Sequence, residues 1–252
     1  MTVREHVFAS WHRTCRRYGF EQCDAHMFEH LELYTRKSGE EIEKQLYSFT
    51  DKGGREVALR PEMTPSLARM VATRGTALKK PVRWYSIPRM FRYERMQRGR
   101  LREFFQLNLD ILGIAEVTAD AELIAASIAM MQDLGFDESD FTVRISNRRL
   151  LEEYLRGAGV ENTALGDVYA LLDRRHKIGE ETFTDELRGL LGNSTAVDRV
   201  IGVLNARTLD ELASITDEYD SYGEMRSLFE LIGRYGVEQY ATFDMGIVRG
   251  FA

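Results

Sequence analysis

The segment MFRYERMQRGRLREFFQLNLDILG, residues 90–113, decides the fold. Arg92 and Glu94 end its first, mostly apolar part, and residues two apart on a strand share one face. The loop RMQRGR follows, and its Gly99 tolerates the backbone angles of a turn. From Leu101 onward apolar and polar residues alternate, which indicates a second strand with one packed face and one polar face. The segment therefore predicts two strands joined by a basic loop.

The polar side of the second strand carries two groups suited to binding a small molecule. Gln106 and Asp110 are four residues apart, so a continuous strand places them on the same face. A carboxylate at a strand end can also be simply solvated, but the shared face favours a pocket. Together with Arg92 and Glu94, these residues predict that several polar groups lie on one face of a sheet. An exposed ion pair is the simpler interpretation of Arg92 and Glu94 when they are considered alone.

The segments on the N-terminal side predict a helix, a hairpin and a second helix. Residues 3–18 have an amphipathic helical pattern. A hairpin turn is expected at residues 51–54, where Asp-Lys-Gly-Gly lies between two extended stretches. In PEMTPSLARMVATRG, Thr64 is the expected N-cap and Pro65 the first helical residue, and Gly75 ends the helix.

In the C-terminal half, the predicted secondary structure becomes mainly helical. A helix is expected from residue 118 to residue 134 and a strand in DFTVRIS, which ends at residue 146. Residues 147–236 show several short amphipathic helices between glycine-containing breaks, and residues 237–252 return to a β-prone composition. We therefore expect an α+β protein with a core domain (1–146), an inserted all-helical domain (147–236) and a truncated return strand of the core (237–252).

The composition of the 252 residues is that of a globular protein, with 44% hydrophobic and 29% charged residues. The net charge of −6 argues against a protein whose whole surface binds nucleic acid. No apolar stretch reaches the roughly 20 residues of a membrane span. Cys15 and Cys23 cannot build a disulfide framework, so we expect a cytoplasmic protein that does not enter membranes.

Three strings in this order resemble histidyl-tRNA synthetases: ALRPEMTPSLARMVA (58–72), the segment 90–113, and MGIVRG (245–250). They are similar to the histidine loop, motif 2 and an arginine-bearing segment of that family. The resemblance implies a class II antiparallel sheet flanked by helices. It also implies that L-histidine is activated with ATP, accompanied by Mg²⁺, and transferred to tRNA(His) by a homodimer.

The resemblance also implies roles for individual residues. The implied catalytic residues are Arg92 and Arg249, the implied histidine-binding residues are Glu62, Met63, Thr64, Gln106, Asp110 and Arg249, and the implied ATP-binding residues are Arg92, Glu94 and Arg100. Asp110 is one methylene shorter than the glutamate of many relatives. His26 stands where motif 1 usually carries a proline, which leaves the detail of the dimer interface open.

The ends of the chain leave other functions open. Relatives begin upstream and continue into motif 3 and an anticodon-binding domain, so we expect a fragment with little activity alone. The alternatives are a catalytically silent regulatory subunit of ATP phosphoribosyltransferase and a structural fragment that only dimerises. The pattern His26, Glu29 and His30 also fits an inverted zinc-protease motif, but it has no evident third ligand, so we expect no resident metal.

Overall fold

The computed structural model of the protein describes residues 2–36, 44–215 and 219–247. The chain divides into two compact units, Met1–Ala115 and Glu116–Ala252. Both combine helices with short strands, as expected for an α+β protein. The domain bounds predicted from composition stay a prediction.

The first unit carries most of the strands. Its helices are α1 (Thr2–Arg17), α2 (Glu32–Thr35) and α3 (Thr64–Arg74). Its strands are β1 (Glu21–Gln22), β2 (Phe28–His30), β3 (Ser48–Thr50), β4 (Glu56–Leu59), β5 (Val82–Ser86), β6 (Arg89–Phe91), β7 (Glu103–Phe105) and β8 (Asn108–Leu112). They form sheets in the orders β1-β5-β8, β2-β4-β3 and β6-β7, and only β1 and β5 pair in parallel among these described strands. This confirms a mainly antiparallel arrangement with helices beside it.

Both predicted hairpins of the first unit are confirmed. In the β3–β4 turn, the Asp51 side chain accepts hydrogen bonds from the N–H groups of Gly53 (2.8 Å) and Arg55 (3.0 Å). In the β6–β7 hairpin, Gly99 has a φ angle of 80°, which most side chains avoid. The turn chemistry visible in the sequence therefore determines both reversals.

The predicted strand from Leu101 to Gly113 is interrupted, which corrects the expectation of one continuous strand. Strand β7 pairs with β6 and ends at Phe105, whereas β8 pairs with β5 and begins at Asn108. Opposite this interruption, Pro88 lies between β5 and β6, and a proline has no N–H group to donate to a neighbouring strand. Its carbonyl accepts a hydrogen bond from the Gln106 N–H instead (3.3 Å). The pairing therefore breaks on both strands at the same place.

The start of helix α3 also differs from the expectation. Met63, not Thr64, is the N-cap residue, and no side chain caps the helix. Pro65 is therefore the second helical residue and not the first, although it still lies in the first turn. Gly75 ends the helix as predicted, with a φ angle of 50°. The exposed Thr64 hydroxyl is therefore not used to cap α3.

The second unit is mainly helical. Its helices are α4 (Thr118–Asp133), α5 (Arg148–Gly157), α6 (Leu165–Ile178), α7 (Glu180–Leu191), α8 (Ser194–Asn205), α9 (Leu209–Ala213) and α10 (Asp220–Arg234). Strands β9 (Val143–Ile145) and β10 (Ala241–Phe243) pair in parallel. The chain therefore returns to a strand after the helical segment, as its composition predicted.

A buried carboxylate fixes the turn that follows β10. Asp244 is 4% exposed and accepts hydrogen bonds from the Arg144 guanidinium and from the Gly246 N–H. Arg207, which follows α8, lies 3.3 Å from Asp244 Oδ1, the oxygen that also accepts the Gly246 N–H. Buried carboxylates are stable when they are paired in this way. Asp244 therefore joins the last described turn to both β9 and the helical segment.

Candidate functional site

The position of Arg92 is set by the β6–β7 hairpin and by the end of β4. Its backbone N–H donates to the Arg102 carbonyl (2.9 Å), and its side-chain Nε donates to the Pro61 carbonyl (2.9 Å). The guanidinium carbon lies 5.5 Å from the centre of the Phe104 ring. One edge of the guanidinium is therefore held next to Glu62, and the nitrogens not used in these contacts can bind an anion.

Glu94 lies between two of the predicted arginines. One carboxylate oxygen is 3.9 Å from Arg92 Nη1, and the other is 3.3 Å from Arg100 Nε. These separations exceed those of strong charge-assisted hydrogen bonds. The Glu94 carbonyl also accepts a hydrogen bond from Arg102 Nε (3.1 Å). The structure thus brings Arg92, Glu94 and Arg100 together. The two guanidinium groups lie on either side of one carboxylate and can still bind an anion.

The residues at the start of α3 differ in exposure. Met63 is buried, Glu62 is half-buried and Thr64 is exposed. Burial raises the pKa of Tyr34, and the carboxylates of Glu29 and Glu62 raise it further. Glu62 is thus close enough to act electrostatically on the buried end of α2. The residue before it, Pro61, supplies the carbonyl that accepts the hydrogen bond from Arg92 Nε.

Asp110 is a half-buried carboxylate in the middle of β8. It lies directly opposite Trp84 of β5, and residues paired in this way point to the same side of a sheet. Burial raises the pKa of Asp110, and no hydrogen bond or ion pair from the described part of the chain reaches its carboxylate. Burial, with the negative charges of Asp110 and Asp24, raises the pKa of the Cys23 thiol to about 11. Asp110 is therefore close enough to the Cys23 thiol to act on it electrostatically, and its carboxylate has no hydrogen bond or ion pair from the described residues.

Gln106 is exposed at the break between β7 and β8. Its side chain cannot be assigned to the face of Asp110 from strand alternation, because the two residues are not on one continuous strand. A single cavity formed by Glu62, Arg92, Gln106, Asp110 and Arg249 stays a prediction, and Arg249 lies outside the described residues.

A cavity of about 670 Å³ lies beside β1, β5 and the C-terminal part of α3. Its lining includes Cys23 and Trp84, the two neighbours of Asp110 named above, but none of the predicted site residues. The charged residues of its lining are Arg74, Lys79, Lys80, Arg83, Glu21 and Asp24. The cavity is therefore adjacent to the Asp110 strand without being the predicted substrate site.

The zinc-protease pattern is not on a helix. Glu29 and His30 belong to strand β2, and Glu29 accepts hydrogen bonds from Arg69 Nε (3.2 Å) and Nη2 (2.7 Å). Within residues 2–36, 44–215 and 219–247, no group of three histidine, cysteine or acidic side chains could hold a metal ion. No helix in these ranges is long and apolar enough to cross a membrane.

This fold, with an arginine-bearing hairpin beside a Glu-x-Thr segment, is that of a class II aminoacyl-tRNA synthetase catalytic region. The family model for histidyl-tRNA synthetase matches residues 1–252. The chain belongs to the histidyl-tRNA synthetase family.

Curated relatives agree with this assignment. The chain is 39% identical over 254 residues to the chloroplastic/mitochondrial histidine–tRNA ligase of Arabidopsis thaliana, covering 100% of the chain and 52% of the relative. It is 40% identical over 256 residues to the histidine–tRNA ligase of Opitutus terrae, covering 99% of the chain and 59% of the relative. The chain therefore spans little more than half the length of these relatives.

Solved structures support the fold. Histidyl-tRNA synthetase from Nostoc sp. PCC 7120 matches 99% of the chain and 58% of its own length, with a TM-score of 0.84 and 21% identity. A Bacillus halodurans protein described as an ATP phosphoribosyltransferase regulatory subunit/histidyl-tRNA synthetase matches 98% of the chain and 65% of its own length, with a TM-score of 0.85 and 22% identity. At these identities the likeness concerns the fold alone.

The raised pKa of Asp110 predicts a pH-dependent gain in stability for Asp110→Asn. A carboxyl group whose pKa is raised in the folded state binds protons more tightly when the chain is folded. Its ionisation therefore lowers the free energy of unfolding, and this loss of stability grows as the pH rises from the unfolded-state pKa through the higher folded-state pKa. The amide has no charge to desolvate. Because solvent screens the open side of Asp110, we expect a gain in the free energy of unfolding of about 1 kcal/mol at most at pH 7. The two proteins should converge below about pH 4, where the carboxyl is protonated in both states.

Urea unfolding between about pH 3.5 and pH 7 measures this difference. Asp137→Asn is an opposite-sign control, because hydrogen bonds from Ser139 lower the pKa of Asp137. Its carboxylate contributes stability that is present above the ordinary carboxyl pKa and lost as the pH falls through the lowered one. A loss of stability in Asp110→Asn at pH 7 would show that the carboxylate already has a stabilising partner.

Proposed function

We propose that the protein containing this chain is a histidine–tRNA ligase, which activates L-histidine with ATP and transfers it to tRNA(His). The observation that carries the proposal is the half-buried Asp110 carboxylate, which no donor from the described residues satisfies. An unpaired, desolvated carboxylate is unfavourable for a fold, so its presence at this place favours a role in ligand binding. An imidazole N–H is a donor of the required kind, and membership of this family supports histidine as the ligand.

In the proposed activation step, a carboxylate oxygen of histidine bonds to the α-phosphorus of ATP. The bond from that phosphorus to the oxygen bridging to the β-phosphate breaks, and pyrophosphate leaves with the electron pair. Negative charge develops on the α-phosphate oxygens, and Arg92, held by the Pro61 carbonyl, would stabilise it as a fixed cation. Arg249 is proposed as a second cation, and Mg²⁺ would accompany the nucleotide as part of the substrate.

The remaining residues are proposed to orient the two substrates. Glu62 and Thr64 would accept hydrogen bonds from the histidine ammonium group, with the buried Met63 fixing the backbone between them. Gln106 would bind the amino or carboxylate end of histidine. Glu94 and Arg100 would contact ATP. Because these two side chains are 3.3 Å apart and not tightly hydrogen-bonded to each other, both can still form hydrogen bonds with the nucleotide.

The assembly and location of the protein are also proposals. Curated relatives named histidine–tRNA ligase support tRNA(His) as the acceptor. A homodimer and a cytoplasmic location remain expectations from the family resemblance and from the cysteine content.

Amino-acid-dependent exchange of labelled pyrophosphate into ATP tests the proposal, using the protein expressed from its complete reading frame. Exchange is expected with L-histidine and not with the other standard amino acids, and it should be followed by charging of tRNA(His). Histidine binding without exchange would favour the regulatory-subunit alternative. Neither binding nor exchange would leave the dimerising structural protein as the remaining hypothesis.

A further inference from the structure

Arg60 is a buried arginine that joins three segments of the first unit. Its side chain is 4% exposed, and Nη1 donates to Asp24 Oδ1 (2.7 Å) and to the Ala25 carbonyl (2.8 Å). Its Nε donates to the carbonyl of Arg89, the first residue of β6 (2.9 Å). One guanidinium thus ties the end of β4 both to the segment before β2 and to the hairpin that carries Arg92.

The backbone beside Arg60 makes the same connection. The Arg60 carbonyl accepts a hydrogen bond from the Phe91 N–H (3.0 Å), and the Arg60 N–H donates to the Met27 carbonyl (3.0 Å). The next carbonyl, that of Pro61, is the acceptor for Arg92 Nε. Consequently, the residue before Arg92 and the side chain of Arg92 itself are both held by residues 60 and 61.

A buried guanidinium is not needed at position 60 merely to fill the core. Its one carboxylate partner in the described chain, Asp24, is 62% exposed, so the ion pair lies at the edge of the solvent while the guanidinium is buried. Burying a charge in this way is costly, and an apolar side chain of similar volume is often at least as stabilising. A guanidinium can, however, donate in several fixed directions at once, which a lysine ammonium on a flexible chain cannot reproduce.

We propose that Arg60 is a positioning residue for Arg92. It locks the register between the end of β4 and the start of β6, so that the Pro61 carbonyl meets Arg92 Nε and aims the remaining guanidinium N–H groups at the α-phosphate. This inference rests on the proposed function, because it takes Arg92 to be the phosphate ligand. Arg60 itself touches no substrate.

Arg69 provides a matched control. It too is an arginine paired with a carboxylate of the 24–30 segment, since Nη2 lies 2.7 Å from Glu29. Arg69 lies in helix α3, and its guanidinium donates to Glu29 rather than to the β6–β7 hairpin. The Arg69→Lys substitution therefore makes the same chemical change in a second arginine–carboxylate pair, whose arginine side chain is 37% exposed, and it leaves the hydrogen bonds to the β6–β7 hairpin unaltered.

The test is a double-mutant cycle on kcat for histidine-dependent pyrophosphate exchange, using the protein from its complete reading frame. Arg60→Lys is expected to lower kcat roughly tenfold to a hundredfold, as small misplacements of catalytic groups do. In an Arg92→Lys background, the same change is expected to lower kcat by less than about twofold, because the group being positioned is already altered. Arg69→Lys should change kcat by less than about twofold in either background.

Asp24→Ala provides a second route to the same answer, since Asp24 is exposed and its loss removes one Arg60 contact without emptying the core. It should lower kcat severalfold in the protein that retains Arg92, and by less than about twofold in the Arg92→Lys background. Normal kcat in both Arg60→Lys and Asp24→Ala, or equal losses in the two backgrounds, would overturn the inference while leaving the proposed function intact. Absence of exchange in the unsubstituted protein would overturn both.

Discussion

Replacing Arg92 with alanine is expected to lower kcat for histidine-dependent pyrophosphate exchange by roughly a hundredfold to a thousandfold. The side chain is held by the Pro61 carbonyl and the Phe104 ring, so its charge is already oriented before the nucleotide binds. A fixed cation stabilises a developing negative charge without reorganising during the reaction. Exchange kinetics at saturating histidine and ATP measure the effect.

Arg89→Ala is the control for Arg92→Ala. Arg89 lies on the strand that leads to Arg92, and its side chain forms an ion pair with Glu103 (2.8 Å), with both side chains substantially exposed. Exposed pairs contribute about 1 kcal/mol or less, so kcat should change little. Retention of normal exchange by Arg92→Ala would remove Arg92 from the catalytic residues, and an equal loss in Arg89→Ala would assign the effect to the hairpin.

Asp110→Ala is expected to weaken histidine binding by roughly tenfold to a hundredfold and to leave ATP binding nearly unchanged. The carboxylate has no hydrogen bond from the described residues. Its removal should therefore cost only the hydrogen bond to the bound histidine. Hydrogen bonds to a charged group contribute about 1.5–3 kcal/mol, which corresponds to this change in Kd. Calorimetric titration of the complete protein with each ligand separates the two affinities.

Asp110→Glu is the matched variant, because the longer acid keeps the carboxylate acceptor. It should retain histidine binding within about threefold, as a conservative change does when the interaction is preserved. An equal loss of histidine and ATP affinity in Asp110→Ala would contradict the assignment and show that Asp110 supports the fold.

Much of the first unit could be predicted from short-range patterns. The Asp-Lys-Gly-Gly turn and Gly99 each identify a reversal, since turn chemistry acts within a few residues. Gly75 ends α3 for the same local reason. The N-cap lies one residue earlier than predicted, at Met63, because helix ends depend on backbone angles that composition does not determine.

The environment of the candidate site required the tertiary structure. Pro88 interrupts its own strand in the sequence, but its effect on Gln106 appears only when the two segments pair. The burial of Asp110 likewise depends on β5 and on the segment containing Cys23. Neither effect leaves a periodic signal, since each joins residues that are distant in the chain.

The sequence by itself determined the strand, turn and helix order around Arg92 and the membership of a synthetase family. The tertiary structure alone decided that Arg60 is buried across the segments of Asp24 and Arg89, and that Asp110 is desolvated without a partner among the described residues. The physical reason is range. Periodicity and turn preferences act over a few residues, whereas burial, desolvation and hydrogen bonding between remote segments exist only after the chain has folded.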